Sequence, residues 1–245
     1  MTATELAQDG SVIWTTLAEP GRGLAQAVTR RRALTALLVS MLLALVATAV
    51  VLPHLDMEAA AAATGKLKPE MTPHERAEAL ETATKLHHVA AWAGAAAGPA
   101  VSALLLACVL AAAFWVAGAR AGFKETFTVS AHALIPLYVK ALLAAPAAIV
   151  HAPVAPAQLD RLLPSSLAAL LPGGLPPPVL AAASSLDLFS LWALYLTGSG
   201  MAKASGASRR RAFAVTLLLF VAYVALFKIA PSASTGGGPG PRGGP

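Results

Sequence analysis

From Ala33 to Pro53 the chain carries no charged residue, and the same holds from about Ala91 to Ala119. Each run reaches or exceeds the roughly 20 apolar residues that a helix needs to cross about 30 Å of hydrocarbon. A chain with two such runs must satisfy its backbone polar groups internally, which leaves transmembrane helices as the expected architecture. Composition agrees: hydrophobic residues make up 57% and charged residues 12% of the sequence, about half the charge of a soluble domain.

Three further segments complete a set of five predicted spans in an all-α bundle. The third runs from about Thr128 to His151 and holds Lys140 near its middle, with Pro136 and Pro146 as expected kinks. The fourth covers about Ala182 to Ala202, with Asp187 near one end, and the fifth runs from Ala212 to about Ile229. Lys and Arg near helix ends fix orientation. With the N-terminus inside, Arg22, Arg30 to Arg32, Arg120, Lys124, Lys203 and Arg209 to Arg211 all fall on the cytoplasmic side. The first outer loop then holds six acidic residues, and an N-in, C-out topology follows. The net charge of +6 therefore reads as a topology signal flanking apolar runs, and nucleic acid is not an expected partner. About thirty mixed residues precede the first run, so it is expected to be an uncleaved helix rather than a signal peptide.

The segments outside the spans have their own patterns. Thr72-Pro73-His74-Glu75 is a capping box with proline at the first helical position, expected to open a helix reaching about Val89. In the second outer loop, Leu159, Leu162, Leu163, Leu167, Leu170 and Leu171 predict an amphipathic segment at the interface. Gly10 to Ala27, with Ile13, Trp14 and Leu17, is expected to lie along the inner surface. The expected organisation is a cytoplasmic segment over residues 1–29, a transmembrane domain over 30–230, and a disordered Gly/Pro-rich tail over 231–245.

Few residues are candidates for chemistry. An uncompensated lysine in mid-bilayer costs about 3 kcal/mol or more, so Lys140 needs a partner, and Asp187 is the candidate across helices three and four. The pair reads either as an ion-coupled site or as a staple between two helices. Gly94 and Gly98 form a G-x-x-x-G pattern that permits close packing, within the chain or between copies, and Gly198 with Gly200 reads the same way. His74 and Glu78 share one helix face at i,i+4, but no H-E-x-x-H motif and no cysteine partner accompany them, so no metal is expected. Cys108 is the sole cysteine, which rules out an intramolecular disulfide. No G-x-S-x-G elbow, Walker loop or paired catalytic carboxylates appear. No enzyme activity and no cofactor are expected.

Two segments carry a resemblance. Gly122-Phe123-Lys124-Glu125-Thr126-Phe127-Thr128-Val129-Ser130-Ala131 leads into the third span, and Leu186-Asp187-Leu188-Phe189-Ser190-Leu191-Trp192 opens the fourth. With the five-span layout, they make the chain similar to bacterial members of the Yip (Ypt-interacting-protein) domain family over about Arg30 to Ile229. The resemblance implies a five-helix inner-membrane protein with a cytosolic N-terminus and no established catalytic residue. Eukaryotic members associate with Rab-type GTPases and with each other. Their Asp-Leu-Tyr-Gly-Pro signature before the first span is absent here, so GTPase binding is not carried over. The leading expectation is a non-enzymatic scaffold or membrane-organising partner of the bacterial inner membrane, in contact with lipid and with other membrane proteins or copies of itself. The alternative is a small transporter or permease-like subunit using Lys140 and Asp187.

Overall fold

The computed structural model describes residues 13–17, 19–30, 32–68, 70–161, 163–172 and 175–235. Helices follow in the order α1 (Pro20–Arg30), α2 (Ala33–Val51), α3 (Met57–Ala63), α4 (Pro73–Val116), α5 (Phe123–Ala133) and α6 (Ile135–Val150). They continue with α7 (Pro177–Ser185), α8 (Leu188–Ser205), α9 (Arg209–Val224) and α10 (Ala230–Thr235), the last two joined by a π turn over Ala225–Ile229. No strand occurs among the described residues. Four helical stretches are long and apolar enough to cross a membrane: Ala33–His54, Pro73–Val116, Phe123–Val150 and Arg209–Ser232. The fourth expected span is not among them. Its sequence divides at Asp187 into α7 and α8, and α8 carries Thr197, Ser199, Lys203 and two glycines.

The starts and stops of these helices follow local chemistry. The Thr72 side chain accepts from the Glu75 backbone N–H and the Glu75 carboxylate reaches back to the Thr72 N–H at 2.8 Å, which is the expected capping box. The helix it opens does not stop near Val89. It runs unbroken for 44 residues, or about 66 Å at 1.5 Å per residue, twice the thickness of the hydrocarbon. The helix continues through Gly94, Gly98 and the internal Pro99, which apolar surroundings tolerate in a membrane-length helix. It ends where Gly118 adopts a left-handed φ of +71°, with Ala119 N–H bonded to Phe114 C=O and Gly118 N–H to Trp115 C=O, a Schellman stop. Pro136 does not kink a helix; it sits in the first turn of α6, after a break at Leu134. Pro146 lies inside α6.

At the centre of the bundle lies α5. Every residue from Thr128 to Ala133 is buried, so this helix faces protein on all sides. It packs on α4, α8 and α2. Its polar groups are satisfied within the helix: Thr126, Thr128 and Ser130 each donate to the carbonyl four residues back, at 2.8 to 3.0 Å. That arrangement makes a polar sequence tolerable in a dry interior. The core is built from small and branched side chains, with Leu110, Phe114, Val129, Met201 and Ala212 in one cluster and Ala36, Ala103, Ala131 and Ile135 in another.

The N-terminal stretch packs on the bundle: Leu24 and Ala27 are fully buried, and Leu24 packs on Ala133 and Leu196, while residues 10–12 lie outside the described residues. Gly23 backs directly onto the Thr16 main chain, which folds helical residues 13–17 against α1. The second outer loop is two 3-10 turns, Pro156–Arg161 and Leu167–Leu170, rather than one amphipathic segment. Isolated bridges pin this loop, Leu55 to Val154 and Ser166 to Asp187. Of the expected tail, Ala230–Thr235 is helical, and residues 236–245 lie outside the described residues.

Candidate functional site

The break between α7 and α8 places Asp187 at the N-cap of α8, where its carbonyl accepts the first helical bond from Leu191 N–H at 2.9 Å. Its side chain is 3% exposed, and a bare carboxylate there would be prohibitive. Four contacts answer the cost. Oδ1 accepts from the N–H groups of Phe189 (2.9 Å) and Ser190 (3.1 Å), capping α8. Oδ2 accepts from the Ser190 hydroxyl at 2.6 Å and from Lys140 Nζ at 3.3 Å. The negative charge also faces the positive end of the α8 dipole. The residues on either side of it are held too, through Leu167 N–H to Leu186 C=O and Leu188 N–H to Ser165 C=O.

Lys140 reaches this point from α6 and is 19% exposed. The ion pair therefore links α6, the N-terminus of α8 and the Ser165–Ser166 strip of the outer loop. Two other ion pairs, Arg76 with Glu58 and Lys85 with Glu81, are exposed. Chemically the arrangement can hold three elements in register. Both Asp187 oxygens are engaged: Oδ1 holds the helix cap, and a proton or ion arriving at Oδ2 would have to displace Lys140 or the Ser190 hydroxyl.

The glycines separate into two kinds. A Cβ on Gly200 would lie 2.6 Å from Val129 Cγ1, and one on Gly198 would lie 3.0 Å from the Phe213 ring. These two positions let α8 approach α5 and α9. Gly94 and Gly98 have open space where a Cβ would be. Their face of α4 is not covered within the chain, and the buried stripe of that helix is instead Ala95, Pro99, Ala103 and Ala107. Within the described residues, small alanines and a proline one position over make the contact of α4 with its neighbours.

His132 is a polar residue that sequence reasoning passed over. It is 1% exposed, with Nδ1 2.9 Å from the Thr128 carbonyl. Polar residues at 126, 128, 130 and 132 fall on two opposite sides of a helix, so no single solvated face accounts for them. Ser40 Oγ and Ser199 Oγ are buried without a hydrogen-bond partner among the described residues. His74 and Glu78 lie on the exposed outer end of α4, and no group of three metal-ligating side chains occurs among the described residues.

No curated protein matches the chain, and neither does any solved structure. The Yip1 domain matches over residues 14–229, a range that takes in α1, three of the apolar stretches and the fourth as far as Ile229, the α5 and α8 segments, and the Lys140–Asp187 pair. Multi-pass apolar helices and this match over most of its length make the chain a member of the Yip1 domain family.

Proposed function

We propose that this protein is a non-enzymatic, multi-pass scaffold of the bacterial inner membrane, organising lipid and neighbouring membrane proteins around a rigid five-helix core. The observation that carries the reading is the complete use of the Asp187 carboxylate by the fold: two backbone N–H groups, one hydroxyl and one ammonium. A transporter needs an intramembrane charge that is free to change partners. Here the buried charge is a pin, and the interior hydroxyls of α5 are spent on their own helix.

In this reading α8 is the fourth of five crossings. Its 18 residues reach about 27 Å; α5, α9 and α1 cover the side with its glycines and hydroxyls, and Leu188, Leu191 and Tyr195 face outward. The N-in, C-out orientation rests on the basic residues that gather where α4 meets α5 and α8 meets α9. The bacterial assignment rests on the Ala-, Gly-, Pro- and Arg-rich composition.

The experiment is a crosslinking pull-down of the tagged protein from native membranes, comparing wild type with Lys140→Ala. Specific partners that survive the substitution are the expected result. A stable Lys140→Ala protein that finds no partner but loses a solute-dependent growth phenotype would overturn the scaffold reading in favour of transport.

A further inference from the structure

One end of the bundle carries a charge density that the scaffold reading does not use. Gly118 (φ +71°) and Gly206 (φ +66°) reverse the chain after α4 and α8. The core cluster of Phe114, Ala119, Met201 and Ala212 packs these two turns side by side. Arg120 and Lys124 leave the first turn; Lys203, Arg209, Arg210 and Arg211 flank the second, and all six are exposed. Arg211 spans the two, with Nη2 3.1 Å from where a Cβ on Gly118 would sit.

These cations are poorly neutralised from within. Arg209 is held by the Tyr195 hydroxyl at 3.0 Å and lies over the Tyr195 and Phe213 rings. The ion pairs Arg76–Glu58, Lys85–Glu81 and Lys140–Asp187 are all elsewhere. The nearby acid, Glu125, folds back against Gly122 at the start of α5. The first turn of α9 contains three arginines and no acidic residue, against the direction that the helix dipole favours. Among the described residues no carboxylate pairs with Arg120, Lys124, Arg210 or Arg211, so the patch is open to counter-charge from outside the chain.

The depth of the patch identifies the source. Trp92 and Trp115 both project from α4, 43% and 64% exposed. Their separation of 23 residues corresponds to about 34 Å of helix, close to the hydrocarbon thickness with an aromatic girdle at each boundary. No charge lies between them. Trp115 thus marks one membrane boundary, with exposed Val116 and Phe123 beside it, and Arg120 follows within two turns. The cations stand at the level of lipid phosphates, where guanidinium groups bind bidentately.

We propose that Arg120, Lys124, Arg210 and Arg211 form a binding surface for anionic phospholipid headgroups, holding negatively charged lipids selectively at this end of the bundle. The test uses single-tryptophan forms of the full chain. Trp14→Phe and Trp192→Phe are combined with Trp92→Phe to leave Trp115, or with Trp115→Phe to leave Trp92. Each is reconstituted in phosphatidylcholine vesicles containing brominated phosphatidylglycerol or brominated phosphatidylcholine, and quenching is compared.

The expected result is an anionic preference of about fivefold or more at Trp115, on the scale of one interfacial charge, and little preference at Trp92. Arg210→Gln with Arg211→Gln removes most of it, and so does about 0.5 M salt. Equal quenching by the two lipids at Trp115, equal preference at both tryptophans, or a preference that survives the Gln variants would overturn the proposal. If Trp192→Phe loosens the core, native mass spectrometry of the chain with all four tryptophans reads the same property. Phosphatidylglycerol adducts kept by the wild type and lost by the Gln variant support it, and equal retention, or displacement of the lipid by an acidic protein partner, overturns it.

Discussion

Replacing Asp187 with alanine removes four contacts at one stroke, and the sizes of those contacts set the expected loss. The cap on α8, with N–H bonds at 2.9 and 3.1 Å, is worth about 1 kcal/mol. The Ser190 hydroxyl bond to the carboxylate, at 2.6 Å, falls in the range of about 1.5–3 kcal/mol for a charged acceptor. Stranding Lys140 as an unpaired ammonium costs about 3–5 kcal/mol when the site is dry. These do not add, because the same oxygens serve several donors. Lys140 is also 19% exposed and can turn toward the headgroups, so the low end applies and Asp187→Ala should cost about 3 kcal/mol. Lys140→Ala leaves Asp187 three of its four contacts and should cost about 1–2 kcal/mol. The double variant Lys140→Met/Asp187→Asn keeps an N-cap and strands no charge, so it should stay within about 1 kcal/mol of wild type. Reversible unfolding in mixed micelles, followed by far-ultraviolet circular dichroism, gives all three values. An Asp187→Ala protein within about 0.5 kcal/mol of wild type, or a double variant less stable than Asp187→Ala, would refute the reasoning.

Other substitutions probe the packing. Gly200→Ala drives a methyl into Val129 and should cost about 1–3 kcal/mol in the same unfolding assay. Gly94→Ala and Gly98→Ala meet open space and should be neutral or stabilising by up to about 1 kcal/mol, through helix propensity alone; a loss above that in dilute protein would mean the face is packed within the chain. Gly23→Ala collides with the Thr16 main chain and should release residues 13–17, read as new protease sensitivity near the N-terminus while helicity of the bundle is kept. Thr72→Ala removes the capping box of α4 at about 1 kcal/mol, and amide exchange should quicken at His74 to Arg76 without reaching the apolar part of the helix.

How far the sequence could be read depended on which physics governed each element. The capping box at Thr72 and the uncharged run to Ala119 were legible because cap chemistry and hydropathy act locally. That they form a single 44-residue helix was not, since nothing at Val89 breaks a helix and only turn chemistry would have announced an end. Lys140 and Asp187 stood out because charges in apolar surroundings demand partners. Asp187 as a helix cap was also legible in principle, from an aspartate three residues before Ser190, but the apolar run on both sides read as one span. The glycine pattern at 94 and 98 left open which neighbour it meets, because spacing says nothing about which face is covered. Contacts between α5 and α8, and the seat of α1 upon them, depend on long-range packing, and that left Leu24, Ala27 and His132 unmarked.

The account depends most on α8 being a full crossing, and cysteine accessibility tests that directly. In a Cys108→Ser background, single cysteines are placed at Gly65, Gly118, Pro153 and Gly206, a tag is added at the C-terminus, and labelling by an impermeant maleimide is scored from each side of the membrane. Five crossings predict that positions 118 and 206 label from one side, and that 65, 153 and the C-terminal tag are reached from the other. If position 206 is reached from the same side as 153, α8 does not cross, and the five-helix core with its basic end on a single face would be contradicted.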